Sequence, residues 1–196
     1  MANKTMIYAS VVAMCGLAVA AGWKLTSRGA YESAAYRVIQ RDGKFEIREY
    51  PDLVLASTGS RQASGSDGQF MRLFRYISGE NEAKQKVAMT TPVFMEQTDD
   101  RESRMGFVVP SAVADSSAPE PTASGVELRQ RPAGRFAVIR FNGRLDSHTT
   151  QSKLKRLRDW ILANDLKEIG PIESAGYDPP WTPGPLRRNE LLVRVQ

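Results

Sequence analysis

The stretch AGYDPPWTPGPLRRNE, residues 175–190, sets Tyr177, Trp181, Arg187 and Arg188 on a proline-rich segment just ahead of an apolar run. Proline limits backbone freedom, so Tyr177, Pro179, Pro180 and Trp181 offer a stiff, largely apolar surface at low entropic cost. Arginine meets carboxylates with paired donors, which lysine does less well. These residue types suit a ligand that is apolar in its middle and anionic at its edge. They equally suit a structural loop whose tryptophan plugs the end of a barrel and whose arginines pair with local acids. Residue chemistry alone leaves both readings open.

A second candidate surface lies earlier. Phe70, Leu73, Phe74 and Ile77 fall at i, i+3, i+4 and i+7, one apolar face of a helix, with Arg72 and Arg75 beside it. The simplest role for such a stripe is packing on a sheet. Catalytic machinery is sparse by comparison. The one histidine, His148, sits in Asp146-Ser147-His148-Thr149, a polar helix-capping context, so a Ser–His–Asp triad would have to rest on it alone. No nucleophile elbow, Walker A loop, G-x-G-x-x-G or paired-carboxylate motif occurs. The single cysteine, Cys15, permits neither an intrachain disulfide nor a cysteine-based zinc or iron–sulfur site. Enzyme readings lose ground, and a non-catalytic binding module needs none of these groups.

Composition sets the class. With 41% hydrophobic and 25% charged residues, the 196-residue chain reads as folded and long enough for one domain or two small repeats sharing a core. The net charge of +5 is spread among acidic residues without a basic run, so no nucleic-acid partner is expected. Residues 6–23, MIYASVVAMCGLAVAAGW, carry no charge over 18 positions. After a short flank, residues 1–5, this segment is expected to form a hydrophobic helix, an uncleaved membrane anchor or else a signal peptide. Residues 24–35 follow as a polar linker, which places the folded part at a membrane surface or outside the cytoplasm.

From Tyr36 the pattern turns to strands. Residues 36–40 lead to Asp42-Gly43, a hairpin signal, and Phe45–Tyr50 alternates apolar and charged residues with period two, as a half-buried strand does. Further strands are expected at 53–58, 86–93, 104–109, 126–131, 136–141, 172–177 and 190–195, with helices at 69–78 and 150–164 and a charged turn at 97–101. Residues 111–125 form a Pro/Ser/Ala-rich connector. The plan then restarts: FEIREYP (45–51) matches VELRQRP (126–132), and LFRYI (73–77) matches LRDWI (157–161). The spacing implies a duplicated ββαββ unit, residues 36–110 and 126–196. Neither half has enough strands to bury its own apolar face, so the two should share one α+β sheet system or a distorted barrel.

Five segments, FEIREY (45–50), FMRLFRYISGEN (70–81), KVAMTTPV (86–93), FVVP (107–110) and AGYDPPWTPGPLRRNE (175–190), resemble the SOUL haem-binding proteins over residues 36–196. The resemblance implies a distorted antiparallel barrel flanked by two main helices. It also implies haem or another tetrapyrrole in an apolar groove between the first helix and the loop before the last strand. By position, Phe70, Phe74 and Ile77 would line the helix side of that groove, and Tyr177, Pro180 and Trp181 the loop side. Arg72, Arg75, Arg187 and Arg188 become candidates to hold propionates, while Met89 and Met95 flank the region as core residues. Some members carry histidine where this chain has Glu49, so iron ligation from that position is excluded here. Haem held without a strong axial ligand, for buffering, storage or delivery, is the function so implied. The alternative is an effector-binding or protein-interaction module of the same fold that no longer binds haem.

Overall fold

The computed structural model describes residues 31–60, 68–97, 103–179 and 181–196. The expected N-terminal helix at 6–23 lies outside the described residues, as do residues 24–30 of the linker. Among the described residues, no helix is long and apolar enough to cross a membrane.

Eleven strands and three helices make up the described fold: β1 (Glu32–Ser33), β2 (Arg37–Asp42), β3 (Phe45–Tyr50), β4 (Leu53–Gly59), α1 (Gly68–Ile77), β5 (Thr90–Thr91), β6 (Val93–Gln97), β7 (Ser103–Val108), α2 (Ser111–Asp115), β8 (Glu127–Arg131), β9 (Gly134–Asn142), α3 (Ser147–Ala163), β10 (Glu168–Gly176) and β11 (Arg188–Val195). β1 and β5 form a small parallel pair, and the other nine strands form one antiparallel sheet in the order β2-β3-β9-β11-β10-β6-β7-β4-β8. Among the described residues, the edge strands β2 and β8 do not pair, so the sheet curls into a half-barrel instead of closing into the expected barrel.

With β2 set aside, the order is symmetric about the β10–β6 pair. β6, β7 and β4 lie on one side and β10, β11 and β9 on the other. Each trio is completed by a strand from the opposite part of the chain: β8 pairs with β4, and β3 pairs with β9.

Local sequence accounts for most boundaries. Gly43 takes a positive φ of 56° in the β2–β3 turn, where a side chain would be strained. Asp146 caps α3 by accepting from the Thr149 amide at 2.8 Å, which starts the helix three residues ahead of its expected position. The expected strand at 86–93 is displaced to β5 and β6, because Pro92 has no N–H to give to a ladder and splits the run. The connector also holds the short helix α2, and residues 98–101 of the expected charged turn lie outside the described residues.

Both main helices lie on the outer face of the sheet. α1 covers β4 and β7, burying Leu73, Tyr76 and Ile77 against Ala56, Val87 and Phe107. α3 covers β9 and β11, burying Leu157, Trp160 and Ile161. Trp160 lies flat on Phe45, with centroids 5.2 Å apart and planes 3° apart, and its Nε1 donates to Asp42 at 2.8 Å. The concave face is filled by Tyr50, Leu55, Phe94, Phe136, Val138 and Leu192 among others. β3 differs from expectation: its charged positions, Glu46 and Arg48, are fully buried. The curl of the sheet turns their face inward, so the alternating strand is covered on both sides.

Candidate functional site

The outward side of α1 combines a stacked aromatic pair with exposed apolar surface. Phe70 and Phe74 stack at 6.1 Å with planes 13° apart, and Phe70 meets Phe107 edge-on at 5.3 Å. Phe70 is thereby anchored, while Phe74 stays 43% exposed and its neighbour Met71 44% exposed. Met89, Val93 and Met105, each half-buried, pack against the same cluster. Ile77 points inward and is buried, so it supports the helix and does not line its outer side.

The loop ahead of β11 is pinned at both ends. Asp178 accepts from the Arg188 amide at 2.6 Å, Tyr177 N–H donates to the Arg188 carbonyl, and a single 3-10 turn spans Gly184–Leu186. Trp181 stands out from this braced loop at 67% exposure, and Leu186 at 61%. Trp181 therefore does not plug the sheet. Pro180 lies outside the described residues. Tyr177 is buried in the concave cluster, a packing group distinct from the one beneath α1. The structure thus leaves Phe74 and Trp181 at the surface and moves Ile77 and Tyr177 into two separate cores.

The four arginines also divide. Arg72 is buried, with Nε donating to Thr58 Oγ1 at 3.0 Å and Nη2 to the Gly59 carbonyl at 2.9 Å. It is directed at the end of β4 and not at solvent, because that strand end presents oxygens beneath the helix. Arg188 stacks on the Tyr177 ring at 3.9 Å and donates to Glu190 at 2.6 Å, pairing with a local acid as the structural reading of the loop allows. Arg75 is partly exposed, 3.4 Å from Glu80. Arg187 is half-buried and donates to the Thr182 carbonyl at 2.8 Å.

Sequence reasoning missed a buried ion network that joins the two motif segments. Arg48 donates to Glu46 at 2.6 Å and to both Glu190 oxygens at 2.6 and 3.0 Å. Glu190 also accepts from Tyr177 Oη at 2.8 Å. Arg48 lies 4.2 Å over the Tyr36 ring. Burial alone would lower Arg48, but its bonds to Glu190 outweigh that and hold it above the ordinary arginine value. Burial alone would raise Glu190, but Arg48 and then Arg188 outweigh it and hold the carboxyl below the usual range. Burial pushes Tyr50 up to about 12. The signal was present in FEIREY and RRNE: ionic residues within otherwise apolar strands, at alternating positions.

No imidazole accompanies the aromatic platform. His148 is exposed on the first turn of α3, which covers the other half of the sheet. Glu49 is half-buried and bonded to Arg37, on the wall of an open hollow of about 590 Å³ shared with Tyr36, Tyr50, Pro51 and Ala133. Among the described residues, no cluster of three or more His, Cys, Asp or Glu could hold a metal ion.

Comparison with known proteins adds the lineage. Heme-binding protein 1 of Xenopus tropicalis is 26% identical over 177 residues, covering 86% of this chain and 87% of its own. The crystal structure of the EcmrR C-terminal domain superposes with a TM-score of 0.57 at 12% identity, covering 82% of this chain and 98% of that one. A crystal structure described as a hydrolase from Listeria innocua gives 0.59 at 11% identity, covering 81% and 94%. At such identities these two show the fold alone. Residues 31–194 match the family model for SOUL heme-binding protein, so the chain belongs to the SOUL heme-binding protein family.

Proposed function

We propose that the protein is a non-catalytic tetrapyrrole carrier that uses α1 as its binding platform and serves haem buffering, storage or delivery. Family membership supports haem as the ligand class. The observation that carries the placement is the Phe70–Phe74 stack, flat and half-open, on a helix whose other face is already saturated by the core. A planar macrocycle laid against it covers apolar surface worth about 25 cal/mol per Å². Phe74 and Met71 form the near wall and Trp181 is the partner from the loop. Arg75 and Arg187 are better placed to meet propionates than Arg72 and Arg188, whose guanidinium groups face inward. Bound haem would supply the iron chemistry. The chain's own contribution is burial and charge, which makes iron dispensable for affinity.

Haemin titration of the chain from Gly29 onward, followed by the Soret band, tests this. A saturable one-to-one shift is expected, weakened about tenfold in Phe74→Ala, an effect of about 1.4 kcal/mol, with metal-free protoporphyrin binding similarly. A featureless titration would sink the carrier reading in favour of a module serving another ligand. Weakening by Tyr36→Ala but not by Phe74→Ala would move the site to the hollow beside Glu49.

The proposal includes a membrane tether or export signal at residues 6–23, supported by 18 uncharged positions. A reporter fused to the C-terminus should be active outside the cytoplasm; activity confined to the cytoplasm would overturn this part.

A further inference from the structure

We infer that the concave face carries a second site, separate from the α1 platform, for one small monovalent anion of chloride size. Four buried side-chain polar atoms lack a hydrogen-bond partner among the described residues: Ser57 Oγ, Arg129 Nε, and Arg131 Nη1 and Nη2. All belong to residues lining one partly open cavity, whose volume of about 10 Å³ leaves room for one small particle. Buried polar groups in folded proteins are nearly always satisfied, so orphans gathered at one cavity point to an occupant.

The chemistry of the orphans selects the occupant. Every one is an N–H or O–H group able to donate. Arg131 Nη2 lies 2.8 Å from Glu173 Oε2 but off the line of its N–H bonds, while Nε makes the well-directed bond at 2.9 Å. Arg129 holds Glu96 through Nη2 at 2.7 Å, which leaves its Nε turned elsewhere. A water molecule accepts only two hydrogen bonds, too few for the four unpartnered donors gathered here. A halide accepts from all sides and brings no proton. Charge agrees: Arg104, Arg129 and Arg131 line the cavity against Glu96 and Glu173, a formal surplus of one positive charge. Arg104 also faces Glu127 at 3.9 Å, but that carboxylate is on the solvated rim, where screening makes it weak.

The walls are rigid. Arg131 is sandwiched by Tyr50, Phe94 and Phe136, its guanidinium carbon 4.8, 4.6 and 4.1 Å from their centroids. Gly106 keeps the space open, since a Cβ there would lie 3.3 Å from Ser57 Oγ and 3.2 Å from Leu55 Cδ1. Ser57 lies on the concave side of β4, whereas Ala56 packs beneath α1 on the outer side, so the sheet separates this site from the platform.

The test uses the full chain in sodium chloride and in sodium gluconate at equal ionic strength, gluconate being too large for the cavity. The thermal midpoint should rise saturably with chloride and not with gluconate. Crystals soaked in sodium bromide should show one anomalous peak between Ser57, Arg129 and Arg131. Ser57→Ala, which removes a donor without adding bulk, and Gly106→Ala, which narrows the space, should abolish the chloride response while haemin titration stays unchanged. Equal midpoints in the two salts, or density at the cavity without anomalous signal, would show water only and overturn the assignment.

Discussion

Glu190→Ala is expected to cost about 3–5 kcal/mol, the usual range for removing one partner of a buried ion pair. Glu190 accepts from Arg48, Arg188 and Tyr177, and with it gone Arg48 stays buried with Glu46 as its remaining carboxylate partner. For a domain of this length that corresponds to a fall in thermal midpoint on the order of 10 °C, measurable by circular dichroism. A drop of less than about 2 °C, equivalent to under about 1 kcal/mol, would mean that water enters and re-solvates Arg48. The same residue predicts an acid limb. Because the folded-state value of Glu190 lies below the ordinary one, its contribution is present above about pH 4.3 and is lost as pH falls through the folded value. Stability of the native chain should therefore decline on acidification below about pH 4, and the decline should be shallower in Glu190→Gln.

Leu73→Ala should be as damaging, by a different route. Leu73 is fully buried beneath α1 among Ala56, Tyr76 and Phe107, and emptying such a site costs about 2–5 kcal/mol. Its neighbour Phe74 is 43% exposed, so Phe74→Ala should change stability by under about 1 kcal/mol. The two variants therefore separate scaffold from site: denaturant unfolding should register Leu73→Ala strongly and Phe74→Ala hardly, whereas porphyrin titration of folded protein should register Phe74→Ala. Equal destabilisation by both would show that Phe74 is core and would remove the platform.

The sequence carried much of this architecture in local signals. The period-two pattern of FEIREY, the Asp-Gly turn and the i, i+3, i+4, i+7 stripe of α1 all act within one element, and each appears close to its expected place. Arg48 and Glu190 are 142 residues apart, and nothing local to either indicates the other. Their pairing depends on β9 bridging β3 and β11, a property of sheet order alone. The inward turn of Arg72 was hidden for a related reason. Helical spacing puts it at the flank of the stripe, and only the position of Thr58 and Gly59 beneath that flank turns it inward. Tyr177 and Trp181 stand four positions apart on one proline-rich loop, yet Tyr177 is buried in the concave cluster and Trp181 is exposed, a division that local sequence does not indicate.

The crossed completion of the sheet, in which β3 pairs with β9 and β8 with β4, bears on how the chain is made. As it leaves the ribosome, the first segment presents β3 and β4 long before residues 127–142 exist to cover them, so their ladders stay unfilled until most of the polypeptide has been synthesised. Nascent β3 awaits a partner about 90 positions downstream, Phe45 opposite Ile139. Cutting within 116–120 should yield two fragments that remain unfolded apart yet reassemble when mixed, each supplying the strand the other lacks.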